Sequence, residues 1–117
     1  MRSDELYVRD MLNVAGDVIA FLADYDREKF LADRVMQRAI LQALTELGEA
    51  ANHVSHELKD RYLDVPWDDA RAFRNFAIHQ YFAVSWEIVW DTATVDVVQL
   101  QPLVAKMVAA EFPSGAG

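Results

Sequence analysis

The period of its apolar residues is what most constrains this chain. Between Asp33 and Lys59, residues Met36, Ile40, Ala43, Leu44, Leu47, Ala51, Val54 and Leu58 return every three or four positions. That spacing places side chains on one face of an α-helix. The same period runs through Tyr7, Met11, Val14, Ala15, Val18, Leu22 and Tyr25. No stretch alternates with the period of two that a half-buried strand requires, and there is no internal repeat, linker or glycine-rich phosphate loop. The chain is therefore predicted to be all-α, an up-and-down bundle of four to five helices forming one domain over residues 1–112, with a frayed tail at 113–117. A bundle this small with such broad apolar faces is also expected to form a homodimer.

Cap residues set the expected boundaries. Ser3 followed by Asp4 and Glu5 predicts a first helix over about residues 4–24. Asp26 is expected to cap a short helix through Phe30 and Leu31, and the second long helix is expected to run unbroken from Asp33 to Lys59. Pro66 breaks the next stretch, because the residue before a proline disfavours the helical region. Asp68 and Asp69 then open a further helix, Ser85 is expected to cap Trp86 to Thr94, and Asp96 to cap a last helix reaching about Phe112. Pro102 should kink that last helix or delay its start.

Charge and composition narrow the function. The 117 residues carry a formal net charge of -8, which argues against a protein that grips nucleic acid by its backbone. A brief enzymatic encounter with RNA stays open, and a basic protein partner is easy to recruit. Cysteine is absent, so thiolate nucleophiles and cysteine zinc sites are ruled out. The N-terminus turns acidic at once and no apolar run is long enough to span a bilayer, so a soluble, cytoplasmic protein without a membrane partner is expected. His53, His56 and Glu57, with Glu49 one turn earlier, lie at spacings that suit neighbouring helix stripes. Their order fits neither common zinc-helix motif, and two histidines on a polar face are the more ordinary outcome, so no metal or other cofactor is expected.

Chemistry is densest in Arg74-Asn75-Phe76-Ala77-Ile78-His79-Gln80-Tyr81. At about 100° per residue, Arg74, Asn75, His79 and Tyr81 share one broad arc of a helix. A fixed cation, an imidazole that titrates near neutrality and a phenolic donor on one arc suit phosphate chemistry. The same groups also suit a structural role, with Arg74 paired to a core carboxylate and His79 buried and hydrogen-bonded. Two further residues bear on the site: Glu49, in the small-residue run Leu47-Gly48-Glu49-Ala50-Ala51, could reach Arg74, and Arg71 lies one turn before it.

The arrangement Arg74-Asn75-x-x-x-His79-x-Tyr81 resembles the signature of the HepT-like family within the HEPN superfamily. Three other landmarks agree: the helix around Ala43 to Ala50, the Val65-Pro66-Trp67 entry, and Ile88-Val89-Trp90 after the motif. The resemblance covers roughly residues 4–110. It implies an all-helical, dimeric, metal-independent ribonuclease toxin, paired with a nucleotidyltransferase antitoxin that attaches AMP to the motif tyrosine. Carried over residue by residue, it makes His79 the acid/base group, Arg74 the stabiliser of phosphate charge, Asn75 a positioning amide, and Tyr81 both an active-site phenol and the AMPylation target. RNA would be cleaved through its own 2′-hydroxyl, leaving 2′,3′-cyclic phosphate ends. The alternative is a non-catalytic helical companion of a nucleotidyltransferase that binds its nucleotide or substrate; a metal-dependent enzyme using His53 and His56 is a third reading.

Overall fold

The computed structural model describes residues 3–79 and 84–113, with backbone alone for residues 75–79. The described residues form helices and the turns between them, without a strand. In chain order the helices are α1 (Asp4–Phe21), α2 (Arg27–Leu31), α3 (Arg34–His53), α4 (His56–Arg61), α5 (Trp67–His79) and α6 (Trp86–Asp91). A π-helical segment (Thr92–Asp96) and α7 (Val97–Glu111) complete the described chain. The four long members are α1, α3, α5 and the α6–α7 rod, in line with the bundle read from the periodicity.

α3 is the hub. It packs against both α1 and α5, while α7 packs against α1. Residues predicted from the period supply much of the core: Met11, Ala15 and Val18 of α1 are buried together with Ile40, Leu44, Leu47 and Ala51 of α3, and Val8, outside the predicted set, is buried with them. Val97, Leu100, Val104 and Met107 of α7 join the same core. Each buried valine, leucine, isoleucine or methionine among them contributes about 1.5–3 kcal/mol by leaving water. Gln37 is the buried polar residue among these helices, and its amide donates to the carbonyls of Phe30 and Leu31, both at 3.1 Å. Those carbonyls lie at the end of α2, and the Phe30 carbonyl also accepts from the Asp33 amide at 3.1 Å.

Asp26 and Ser85 cap as read, and Asp33, read only as the start of the second long helix, proves to be a cap as well. Asp26 accepts from the Lys29 amide at 2.8 Å, Asp33 from Met36 at 3.0 Å, and Ser85 from Ile88 at 3.3 Å. Four boundaries differ. α1 ends at Phe21, three residues before the predicted limit at 24, and Ser3 starts it through its carbonyl, with no hydrogen bond from the hydroxyl to the helix. The predicted helix from Asp33 to Lys59 is two helices, because Val54 adopts an extended backbone (φ -68°, ψ 139°). Ser55 then caps α4, accepting from Leu58 at 3.3 Å, while its own amide and hydroxyl donate to the Asp4 carboxylate at 2.9 and 2.5 Å. Asp96 does not cap a last helix: its backbone is helical (φ -68°, ψ -44°), and α6 runs through the π-helical segment into α7. Pro102 therefore lies inside α7 and not at its start.

Candidate active site

Gly48 determines where α5 sits. A Cβ at this position would lie 2.7 Å from the Ala70 carbonyl oxygen, 2.7 Å from the Arg74 amide nitrogen and 2.9 Å from the Arg74 Cβ. Without one, α3 and α5 meet backbone to backbone. The contact falls on Arg74 itself, so the first residue of the polar motif is anchored to the hub of the fold.

The next residue of α3 receives the Arg74 side chain. Glu49 Oε2 forms an ion pair with Arg74 Nε, the guanidinium being about one-third exposed (33%) and the carboxylate somewhat more so (44%). Arg74 Nε is buried and makes no hydrogen bond with the described residues, so the contact with Glu49 is one of charge; the guanidinium, with five N–H donors in a planar fork, suits a further acceptor such as a phosphate. Glu49 Oε1 lies 3.3 Å from His53 Nε2, one helical turn further along α3. The His53 ring in turn stacks on Tyr7 of α1, with centroids 5.1 Å apart and planes inclined by 19°. Three helices thus contribute to one continuous polar chain: Tyr7, His53, Glu49, Arg74. Beside it opens a cavity of about 370 Å³ lined in part by Tyr7, Glu46, Glu49 and His53.

The predicted site residues fall as follows. Arg74 and Glu49 are brought together, as their sequence positions suggested. Asn75 and His79 lie on α5, whose backbone is helical through His79, but their side chains are outside the described residues, as is Tyr81 entirely. Arg71 is exposed and pairs loosely with Asp68 at 3.4 Å. It faces a second cleft, of about 470 Å³, together with Lys59 and Trp67. There the Lys59 ammonium lies 5.7 Å from the centre of the Trp67 ring, and burial, followed by repulsion from Arg71, lowers its pKa below the usual lysine value. Among the described residues no group of three or more histidines and carboxylates is arranged to hold a metal ion. The break at Val54 places His53 and His56 on different helices. Sequence reasoning passed over His53 and Tyr7 as partners of the motif; the four-residue interval from Glu49 to His53 was the available signal.

The model of the family described as "Ribonuclease HepT-like" matches residues 11–107, most of the chain. This chain belongs to the HepT-like family. Among its relatives, "Putative RNase MJ0127" of Methanocaldococcus jannaschii is 33% identical over 85 residues, covering 73% of this chain and 70% of its own. "Putative RNase MJ1380" of the same organism is 29% identical over 100 residues, covering 86% of this chain and 92% of its own. "Probable ribonuclease HepT" of Thermococcus cleftensis is 29% identical over 100 residues, covering 86% and 91%. No solved structure gives a significant match. The HepT-like match spans α3, the Gly48 contact, Glu49 and the whole Arg74 to Tyr81 motif.

Proposed function

We propose that this HepT-like protein is a metal-independent endoribonuclease toxin. The observation that carries the reading is the Arg74 guanidinium, ion-paired with Glu49 and standing five residues before His79 on the same helix. The family and the ribonuclease names of its relatives support the same reaction class.

The chemistry follows from the groups at hand. The RNA 2′-hydroxyl attacks the adjacent phosphorus, the new O2′–P bond forms as the P–O5′ bond breaks, and a 2′,3′-cyclic phosphate and a 5′-hydroxyl result. His79 moves the proton at one side of this displacement. Arg74 offsets the negative charge that grows on the phosphorane oxygens, and its planar fork suits two of them at once. Asn75 orients the phosphate. One motif histidine per chain serves one side only, so a homodimer that brings two motifs to one cleft supplies the second proton-transfer group. DNA, lacking the attacking hydroxyl, resists.

Silencing uses the same cleft. A partner nucleotidyltransferase transfers AMP from ATP to the Tyr81 hydroxyl, the new O–P bond forming as pyrophosphate leaves, and the added phosphate takes the place of the RNA phosphate opposite Arg74. Inhibition then needs no refolding.

The deciding experiment is RNA cleavage by the purified protein in excess chelator, wild type against His79→Ala, with product ends identified. Chelator-resistant cleavage to cyclic phosphate ends that disappears in the variant is the expected result. No cleavage by wild-type protein shown by intact mass to be free of AMP would overturn the reading in favour of a binding companion of the nucleotidyltransferase. Tyr81→Phe should escape silencing by modification.

A further inference from the structure

His53 belongs to no part of the reaction just described, yet among the described residues it shares the Glu49 carboxylate with Arg74. Glu49 Oε1 lies 3.3 Å from His53 Nε2, while Oε2 faces Arg74 Nε. A carboxylate on a flexible side chain, 44% exposed, has several rotamers open to it in water. Two contacts on its two oxygens select one of them. His53 is itself 49% exposed, and its ring is fixed by stacking on Tyr7 at 5.1 Å. Tyr7 is carried by α1, which like α5 packs against α3. The alignment of the guanidinium thus involves residues of three helices and not its own helix alone.

We infer that His53 is a positioning residue of the ribonuclease site, acting through Glu49 to hold Arg74 in the orientation that meets the phosphorane. The inference rests on the ribonuclease reading for its kinetic consequence and on the geometry alone for its structural one. His53 touches neither substrate nor reacting atoms. Its contribution is to remove freedom from Glu49, so that the terminal amino groups of Arg74 are presented at one angle. Misplacement of a charge-stabilising group by about 1 Å is enough to cost up to about a hundredfold in rate. Because the acceptor is a growing charge and not the ground-state phosphate, the loss falls on kcat.

Two measurements on the full chain test this. The first compares cleavage of one RNA by wild type, His53→Ala and His53→Gln. Alanine is expected to lower kcat about tenfold with KM within about twofold, and glutamine, whose amide N–H can donate to Glu49 from nearly the same place, to restore most of the rate. Equal rates for wild type and alanine would overturn the inference, as would a glutamine variant no better than alanine. The second follows the Arg74 Nε–H signal by ¹H–¹⁵N NMR, with no RNA present. It should be resolved in wild type and His53→Gln, and move to the averaged position of free arginine in His53→Ala. An unmoved signal in the alanine variant would overturn the inference. If wild type fails to cleave RNA while the signal behaves as expected, the ribonuclease reading falls and the brace on Arg74 stands.

Discussion

A methyl group at position 48 would meet backbone on two sides, the Ala70 carbonyl and the Arg74 amide, each at 2.7 Å. Neither can swing away as a side-chain tip would. Alanine gains about 1 kcal/mol over glycine in helix propensity. Here that gain is outweighed, because α3 and α5 must separate, an overpacking cost of about 1–3 kcal/mol with lost contacts added to it. Gly48→Ala is expected to lower the thermal midpoint, read by circular dichroism, and to reduce RNA cleavage by more than the lost stability explains, since the clash falls on Arg74. A variant as stable and as active as wild type would refute this placement of α5. Much of this was legible: a small-residue run allows close approach, and the Glu49 to Arg74 reach follows from it. The Tyr7 stack on His53 was not, because it depends on how α1 crosses α3, which no interval within either helix encodes. For Asn75, His79 and Tyr81 the motif spacing speaks to their roles, while their side chains lie outside the described residues.

At the level of the elements, local cap signals were read correctly at Asp26 and Ser85 but not at Ser3 and Asp96, and tertiary signals were not legible. Asp26, Asp33 and Ser85 cap their helices because the cap bond closes within three residues of the same chain segment. The break between α3 and α4 hid behind an apolar period that continues through it, Val54 and Leu58 both being buried. What ends α3 is Ser55, whose amide and hydroxyl both donate to Asp4, 51 residues earlier. Ser55→Ala removes the α4 cap and one of those donors, and should cost about 1–2 kcal/mol in chemical denaturation. Asp4→Ala should cost a similar amount, and the double variant less than the two costs added, because the residues share one set of bonds. Strict additivity would show that Ser55 acts as a local cap alone.

The molecule as a whole is tied end to end by polar contacts that the apolar period does not reveal. Glu111, the last residue of α7, accepts from the Tyr62 hydroxyl and the Arg61 guanidinium, each at 2.6 Å, and Arg9 donates to the Phe112 carbonyl at 2.7 Å. The Tyr62 hydrogen bond, then the Arg61 pair, hold the Glu111 carboxyl below its usual pKa. A carboxyl lowered in the folded state binds its proton less readily there than in the unfolded chain. The stability it supplies is therefore present above the ordinary carboxylate value and is lost as pH falls through the lowered one. Glu111→Gln should be less stable than wild type at pH 7, with the gap closing as the pH drops below about 4. A gap that stays constant with pH would deny the carboxylate this role.

The π-helical segment carries a consequence of another kind. Val89, Ala93 and Val97 are all buried, although eight residues of regular α-helix would turn the last about 80° from the first. The wider turn at Thr92–Asp96 absorbs that surplus, so the α6–α7 rod keeps a single seam to the core. One residue in that turn is, in effect, a spare letter in the sequence. Removing it should leave an ordinary helix with both halves nearly in phase, whereas removing a residue from the middle of α3 would rotate half its buried face into water. Length variation among relatives of this chain is therefore expected to be tolerated at 92–96 and rejected along α3, and a single deletion placed in each would measure the difference directly.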